Sequence, residues 1–257
     1  MSLFRTVAAA FSMFSAVPVP HVKWDEGSMR YMICAFPLVG AVIGAALLAW
    51  IWLTAALGLG KILFAAGLTV IPIAINGGIH LDGFCDTADA LASHAGPERR
   101  REILKDPHTG AFAVIAVCAY LLLYFALAAE LPQTLEAGAA IGLGCILSRT
   151  LSGISVTCFP VSSGKGLLAF FREQSAKKKA AGLLIAEALL CAASMAVLFP
   201  VYGAVMILAA AVCLIYLRRM SERKFEGMSG DLAGWFLQTS ELTMLGAYIL
   251  IYRVVQT

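Results

Sequence analysis

The chain alternates between long apolar stretches and shorter polar ones, a pattern that predicts membrane-spanning helices. Seven apolar stretches each come close to the roughly 20 residues that a helix needs to cross a bilayer. They lie near 32–56, 62–79, 110–129, 137–158, 180–199, 201–217 and 232–252. Pro200 separates the fifth from the sixth, so we expect these two to form a helical hairpin. The pattern predicts an all-α, polytopic membrane helical bundle.

The first 20 residues follow a different pattern. Arg5 precedes an apolar stretch that ends in Val17-Pro18-Val19-Pro20. A cleaved signal peptide would have a stronger positive start and a clear small-residue cleavage site. We therefore expect an N-terminal interfacial or re-entrant helix that ends at the prolines. The whole chain, 1–257, is predicted to form a single integral-membrane catalytic domain.

Composition supports this fold class. Hydrophobic residues make up 60% of the chain and charged residues only 14%, whereas a soluble domain carries about 25% charged residues. The seven cysteines are scattered without metal-ligand or redox spacing, which predicts small packing residues and no disulfide framework. Cys85 lies between two aspartates, and a metal-ligand role for its thiolate is kept as an alternative.

Basic residues concentrate in alternate loops, and this asymmetry predicts the topology. Segments 1–31, 80–109, 159–179 and 218–231 carry most of the lysines and arginines. Because basic loops stay in the cytoplasm, these four segments are predicted to face it. The chain would then begin inside and end outside, which requires an odd number of spans and favours seven.

Three aspartates follow the second apolar stretch. Asp82, Asp86 and Asp89 are spaced i, i+4 and i+7, which places them within roughly 60° of arc on one helix face. No basic residue follows until Arg99. A solvated helix face is the alternative, but the flanking residues are apolar, and buried unpaired carboxylates need a counter-charge. Oxygen ligands of this kind suit Mg²⁺, which often bridges carboxylates to substrate phosphates.

Further polar groups lie in the other cytoplasmic loops. Lys105 and Asp106 suit an anion contact and an additional metal ligand. Lys165, within Ser162-Ser163-Gly164-Lys165-Gly166, suits a phosphate-binding turn, although a plain turn fits the pattern equally well. Asp231 is predicted either to cap the last helix or to complete the metal site.

Two charged residues fall inside predicted spans at comparable depth. Arg149 and Glu241 each lie about half a span below the cytoplasmic face. Because intramembrane charges are costly, we expect them to pair with each other or to line the floor of the site.

A longer pattern surrounds the aspartates. It reads Gly77-Gly78-x-His80-Leu81-Asp82-Gly83-x-x-Asp86-Thr87-Ala88-Asp89. It is followed by Lys105-Asp106-x-x-x-Gly110-x-Phe112 and, near the last span, by Gly227-x-Ser229-Gly230-Asp231-x-x-Gly234. Phe36-Pro37-Leu38-Val39-Gly40 precedes them. In this order, the motifs resemble those of the adenosylcobinamide-GDP ribazoletransferase, or cobalamin synthase, family. Ser15-Ala16 departs from the Thr-Arg that is common there, which puts a basic contact in doubt.

The resemblance implies the last assembly step of the nucleotide loop of adenosylcobalamin. The ribose hydroxyl of α-ribazole, or of its 5′-phosphate, would attack the phosphorus that cobinamide carries in adenosylcobinamide-GDP, and GMP would leave. The implied cofactor is Mg²⁺. The implied location is the bacterial cytoplasmic (inner) membrane, with the active site facing the cytoplasm. Besides its substrates and the lipid bilayer, other corrinoid-pathway enzymes are expected partners, and nucleic acid is not.

Residue roles follow from the matched motifs. The predicted catalytic residues are Asp82, Asp86, Asp89, His80, Lys105 and Asp106, of which Asp82, Asp86 and Asp89 are the predicted metal ligands. The predicted substrate-binding residues are Asn76, Gly77, Gly78, His108, Arg149, Lys165, Gly230, Asp231 and Glu241. Either Asp89 or His80 would take the hydroxyl proton, and Lys105 with Arg149 would stabilise charge on the transferred phosphate.

Three other functions fit parts of the pattern. A CDP-alcohol phosphotransferase would share the aspartate cluster, but Asp82-Gly83 is followed here by Phe84-Cys85-Asp86. A membrane prenyltransferase usually shows two aspartate-rich motifs, and one is evident. A cation transporter could use the aspartate face as an ion path, but these acids adjoin a cytoplasmic loop and lack a matching acidic helix.

Overall fold

The computed structural model describes residues 3–20, 29–161 and 176–256, and this part of the chain is helical apart from its connections. A short 3₁₀ turn, Met32–Ala35, precedes the second helix. The helices are α1 (Leu3–Phe14), α2 (Phe36–Ala56), α3 (Lys61–Asn76), α4 (Ile79–Ala92), α5 (Pro97–Ile103), α6 (Ala111–Glu130), α7 (Leu135–Cys158), α8 (Lys177–Leu198), α9 (Pro200–Phe225) and α10 (Gly230–Gln256). The predicted all-α polytopic bundle is confirmed. Lys165 lies outside the described residues.

The number of spans differs from the predicted seven. Within the described residues, 5 helices are long and apolar enough to cross a membrane: α2 with its 3₁₀ turn, α6, α7, α8 and α9. The pair α3 and α4 would make a sixth, but it is bent by 95°. The predicted span 62–79 therefore ends early, because the helix stops at Asn76. The predicted span 232–252 lies in α10, which is long enough but carries several buried polar groups.

The N-terminal segment is the predicted short helix. Helix α1 buries Ala8, Ala9, Ala10 and Phe11 against the bundle, while Leu3 is 79% exposed. Just beyond its end, the Ala16 N–H donates to the Ile75 carbonyl at 2.8 Å. The end of α1 is thereby fixed beside the end of α3, where the chain bends.

Small residues allow α2 and α7 to pack closely at the centre of the bundle. A Cβ on Gly40 would overlap the Cys145 carbonyl, and one on Gly44 would lie 2.9 Å from the Cα of Gly142. Close backbone approach at glycines is typical of helix packing in membranes, where dispersion contacts drive association. This tight pair holds α7 in place, so the polar residues farther along α7 have fixed positions.

One ion pair crosses the interior between α7 and α10. Arg149 is fully buried and donates through Nη1 to the carboxylate of Glu241, which is 7% exposed. The same nitrogen lies 2.9 Å from the Ser148 hydroxyl, which lies 2.8 Å from Glu241 Oε1. The predicted alternative that Arg149 and Glu241 pair with each other is thus the observed one. The pairing offsets the two opposite charges in the interior. Nε and Nη2 of Arg149 have no hydrogen-bond partner among the described residues.

The ion pair predicts a specific pattern of stabilities. Glu241→Leu leaves Arg149 charged and unpaired in the interior, so the free energy of unfolding should fall by about 3–5 kcal/mol. Arg149→Leu/Glu241→Leu removes both charges and should be about as stable as the original chain. Denaturant unfolding of the detergent-solubilised protein measures both. A double variant that is no more stable than Glu241→Leu alone would contradict this account.

Candidate active site

The aspartates lie on α4, which begins where the chain turns sharply away from α3. Gly77 and Gly78 both adopt left-handed backbone conformations, with φ of 64° and 80°. Glycine adopts this region without the steric cost of a Cβ, so the two residues form the bend itself. Asp82 lies in the first turn of α4, where the positive end of the helix dipole favours an acid. Asn76, just before the bend, is buried.

Helix α10 brings a fourth aspartate to this helix. A Cβ on Gly83 would lie 2.9 Å from the Asp231 backbone, and one on Gly234 would lie 3.0 Å from the His80 carbonyl oxygen. The two helices therefore cross with their backbones nearly in contact. Asp231 is not the helix cap, because the Ser229 hydroxyl accepts from the Leu232 N–H at 3.2 Å. The Asp231 carboxylate accepts hydrogen bonds from its own backbone N–H and from Ser229, and the charge of Asp82 on α4 acts on it. Gly230 beside it faces open space.

The carboxylates in this region act on one another. Burial, which has the largest effect, and the negative charges of Asp82, Asp231 and Asp89, in that order, together raise the pKa of Asp86 to about 6. Burial also raises the pKa of Asp231, and the charge of Asp82 adds to it. Among the described residues, no lysine, arginine or histidine forms an ion pair with Asp82, Asp86 or Asp231. The negative charge on this face is therefore uncompensated within the described chain.

Asp89 contacts a different element. Its carboxylate occupies the space that a side chain on Gly110 would fill, at the start of α6. The sequence placed Asp89 on the same face as Asp82 and Asp86, and the helix confirms that spacing. The direction of its side chain toward α6 was not predicted.

His80 points into the bundle. It is 7% exposed, its ring lies 5.5 Å from that of Phe36, and its Nε2 has no partner among the described residues. Burial, with a smaller effect from the positive charge of Arg149, lowers the pKa of His80 to about 3. The imidazole is therefore neutral and enclosed, which is a poor position from which to accept a substrate proton.

The loop between α5 and α6 carries three predicted site residues. Asp106 accepts from the His108 N–H at 3.0 Å and lies 2.7 Å from the His108 ring nitrogen. These hydrogen bonds lower the pKa of Asp106. Asp106 and His108 are exposed and bonded to each other, and neither forms a hydrogen bond or ion pair with the aspartates of α4 among the described residues. Lys105 is exposed on the same loop.

A polar layer below α4 includes residues that the sequence did not single out. The Tyr120 hydroxyl on α6 donates to Gln238 on α10, and both side chains are buried. Phe84 of α4 packs over Tyr120 with ring centroids 5.1 Å apart. The sequence signal that could have identified Tyr120 and Gln238 is that each has a polar side chain within an apolar stretch. Their pairing joins segments more than 100 residues apart, which no local pattern reveals.

The residues around Asp86 fit a divalent cation by chemistry more than by present geometry. The aspartates offer carboxylate oxygens, which are the ligands that Mg²⁺ prefers. Their negative charges act on one another without a cationic partner among the described residues, and a bound cation would balance them. Within the described ranges, no three or more His, Cys, Asp and Glu side chains already converge at metal-binding spacing. Binding would therefore require the aspartate side chains to rotate toward a common point.

Comparisons with known proteins agree with the motifs. A family model described as cobalamin-5-phosphate synthase matches residues 6–249. An adenosylcobinamide-GDP ribazoletransferase from Lachnoclostridium phytofermentans is 43% identical over 251 residues, which cover 98% of this chain and 95% of the relative. A protein of the same name from Desulfitobacterium hafniense is 37% identical, with 98% of this chain and 100% of the relative covered.

A more distant relative, the adenosylcobinamide-GDP ribazoletransferase of Geobacillus kaustophilus, is 29% identical and covers 96% of this chain. No solved structure matches the chain. Since the family model spans nearly the whole sequence and the relatives align over almost their full length, the chain belongs to the cobalamin-5-phosphate synthase family.

Proposed function

We propose that this protein is an adenosylcobinamide-GDP ribazoletransferase. A hydroxyl oxygen of α-ribazole, or of its 5′-phosphate, forms a new bond to the phosphorus that carries cobinamide. The bond from that phosphorus to the bridging oxygen of the diphosphate breaks, GMP leaves, and the hydroxyl proton passes to a base. The observation that carries the proposal is the match to family members along nearly the whole chain, the aspartate motif included.

The aspartates of α4 and α10 are the proposed Mg²⁺ ligands. Asp82 and Asp86 face Asp231 across the Gly83 contact, so carboxylates from two helices surround one uncompensated region. Magnesium bound there would neutralise charge on the diphosphate and on departing GMP. Asp89, the third predicted ligand, lies on the same helix but contacts α6.

The other predicted site residues differ in their exposure to solvent, and their proposed roles differ accordingly. Lys105 is exposed on the loop that precedes α6, from which a lysine can reach an anionic substrate. Arg149 was predicted to stabilise charge on the phosphate. Because it is fully buried and paired with Glu241, we assign both residues to the support of α10 beneath the site. The proton acceptor is assigned to an aspartate, since His80 is enclosed in the bundle.

The competing functions have less support. The family match spans the aspartate motif and both later motifs. The CDP-alcohol phosphotransferase pattern fails after Asp82-Gly83, and the prenyltransferase pattern lacks its second aspartate-rich motif. A cation path through the membrane would continue the acidic face inward, but the layer below α4 holds neutral Tyr120 and Gln238 and the paired Arg149.

The proposed location is the cytoplasmic membrane, with the aspartates on the cytoplasmic side. The described parts of three segments that were predicted to share this side lie at one end of the bundle. Arg101 of α5 pairs with Glu226, and the Met228 N–H donates to the Pro160 carbonyl at 2.7 Å. These segments carry most of the basic residues, as cytoplasmic loops do. Association with other corrinoid-pathway enzymes stays a prediction.

Turnover by the purified protein tests the reaction directly. Protein in detergent or liposomes, supplied with adenosylcobinamide-GDP, α-ribazole and Mg²⁺, should release GMP and form adenosylcobalamin in equal amounts. Chromatography of both products measures the reaction, and a chelator-treated sample is the control. Product formation no greater than in that control would reject the assignment.

Removal of one aspartate charge tests the metal site. Asp86→Asn should lower kcat by at least about 100-fold, because loss of metal stabilisation costs several kcal/mol in the transition state. It should also weaken Mn²⁺ binding, which electron paramagnetic resonance measures without turnover. Glu98→Gln, which neutralises an exposed acid on the neighbouring α5, is the matched control. Wild-type Mn²⁺ affinity in the Asp86→Asn protein would contradict the ligand role.

Cysteine labelling tests the orientation. His94 lies in the turn after α4 and is exposed, so His94→Cys in a background without native cysteines should react with a membrane-impermeant maleimide. Labelling should occur in inverted membrane vesicles and not in intact cells, because the aspartate side is proposed to face the cytoplasm. The opposite result would reverse the topology.

A further inference from the structure

Helices α6 and α10 bring two successive pairs of polar side chains together inside the bundle. In the first pair, the Tyr120 hydroxyl donates directly to Gln238. About one turn farther along each helix lie Tyr124 and Glu241, which are also buried. Among the described residues, neither the Tyr124 hydroxyl nor Oε2 of Glu241 takes part in a hydrogen bond. The second pair therefore repeats the first in position but not in contact.

A narrow cavity lies at the second pair. Tyr124 and Glu241 both line it, and each of the residues around it is buried. Its volume, measured for the centre of a water molecule, is about 10 Å³, which is close to the space that a single ordered water needs. The remaining lining residues are Ile141, Gly144, Cys145, Met206 and Met244. The cavity thus has the size of one water and two strongly polar groups at its wall.

The two polar groups have complementary needs. A tyrosine hydroxyl can donate a hydrogen bond, whereas an ionised carboxylate only accepts. Arg149 and Ser148 both engage Oε1 of Glu241, which leaves Oε2 without a protein donor among the described residues. A buried hydroxyl or carboxylate oxygen without a partner costs free energy. A water between them can accept from the hydroxyl and donate to the carboxylate, so it satisfies both.

We propose that this cavity binds one structural water, which accepts a hydrogen bond from the Tyr124 hydroxyl and donates one to Glu241. The water joins α6 to the ion pair between α7 and α10, so Glu241 connects three helices and not two. The proposal concerns the interior of the bundle and does not depend on the proposed reaction. The alternative is a dry cavity, as is usual where the lining is apolar.

Removal of the tyrosine hydroxyl distinguishes the two cases. Tyr124→Phe keeps the ring and should melt about 2–4 °C below the original protein, because an interior hydrogen bond is lost. Tyr120→Phe loses a direct hydrogen bond on the same helix and is the matched control, with a comparable shift expected. Circular dichroism of the detergent-solubilised protein during heating measures both. In a dry cavity, Tyr124→Phe would remove an unpaired hydroxyl and leave the melting temperature unchanged or higher.

Filling the cavity gives opposite results in the two cases. Gly144→Ala places a methyl group 3.1 Å from Met206 Cε and 3.5 Å from Met244 Cε, both at the ends of flexible side chains. It should displace the water and lower the melting temperature. Gly182→Ala, on α8, adds a Cβ that meets nothing within 4 Å and is the control for the higher helix propensity of alanine. If the cavity is dry, Gly144→Ala should raise the melting temperature at least as much as Gly182→Ala does.

A double variant separates displacement of the water from steric crowding. Once Gly144→Ala has displaced the water, the Tyr124 hydroxyl has no partner. Tyr124→Phe in that background should therefore leave the melting temperature unchanged or raise it, although it lowers the melting temperature of the original chain. Crowding against Met206 would instead make the two losses additive. Additive losses would overturn the proposal.

An experimental density map of the original protein observes the water directly. It should show a peak about 2.6–3.2 Å from both Tyr124 Oη and Glu241 Oε2. The peak should be lost in Gly144→Ala. A direct hydrogen bond between Tyr124 and Glu241, or no peak in a map that shows other buried waters, would contradict the proposed water site.

Discussion

The acidic site depends on the close crossing of α4 and α10. At Gly83 and Gly234 the two backbones approach to distances that any Cβ would obstruct. This approach places Asp231 next to the face that carries Asp82 and Asp86, although their negative charges repel one another. Packing must therefore hold the helices together against electrostatic repulsion. Dispersion contacts between small residues supply that attraction, as they do elsewhere in membrane bundles.

The buried ion pair contributes to the same arrangement from below. Glu241 lies on the same helix as Asp231, about two turns beyond Gly234, and is paired with Arg149 on α7. Helix α7 is in turn held against α2 at Gly44 and Gly142. Because the pair fixes α10 along its axis, it also fixes which residues of α10 meet α4. Arg149 and Glu241 thus affect the site without contact to its aspartates.

Sequence patterns predicted the parts of this arrangement that are local. Helical spacing placed Asp82, Asp86 and Asp89 on one face, and charge depth suggested that Arg149 and Glu241 pair. Hydropathy did not predict the bend, because the apolar run continues past the residue where Gly77 and Gly78 turn the chain. Nor could it show which way the Asp89 side chain points. That depends on a contact with Gly110, which only the packing of α4 on α6 creates.

The bend and the crossing together explain why one short helix can carry acids at the edge of so apolar a bundle. At a rise of about 1.5 Å per residue, a straight continuation of α3 would carry Asp82, Asp86 and Asp89 past the end of the bundle, away from α10 and α6. The 95° bend instead directs α4 across the end of the bundle. There one side of the helix packs through Gly83, His80 and Phe84, while the acidic face keeps access to a cation and an anionic substrate. The double glycine is therefore as necessary to the site as the acids.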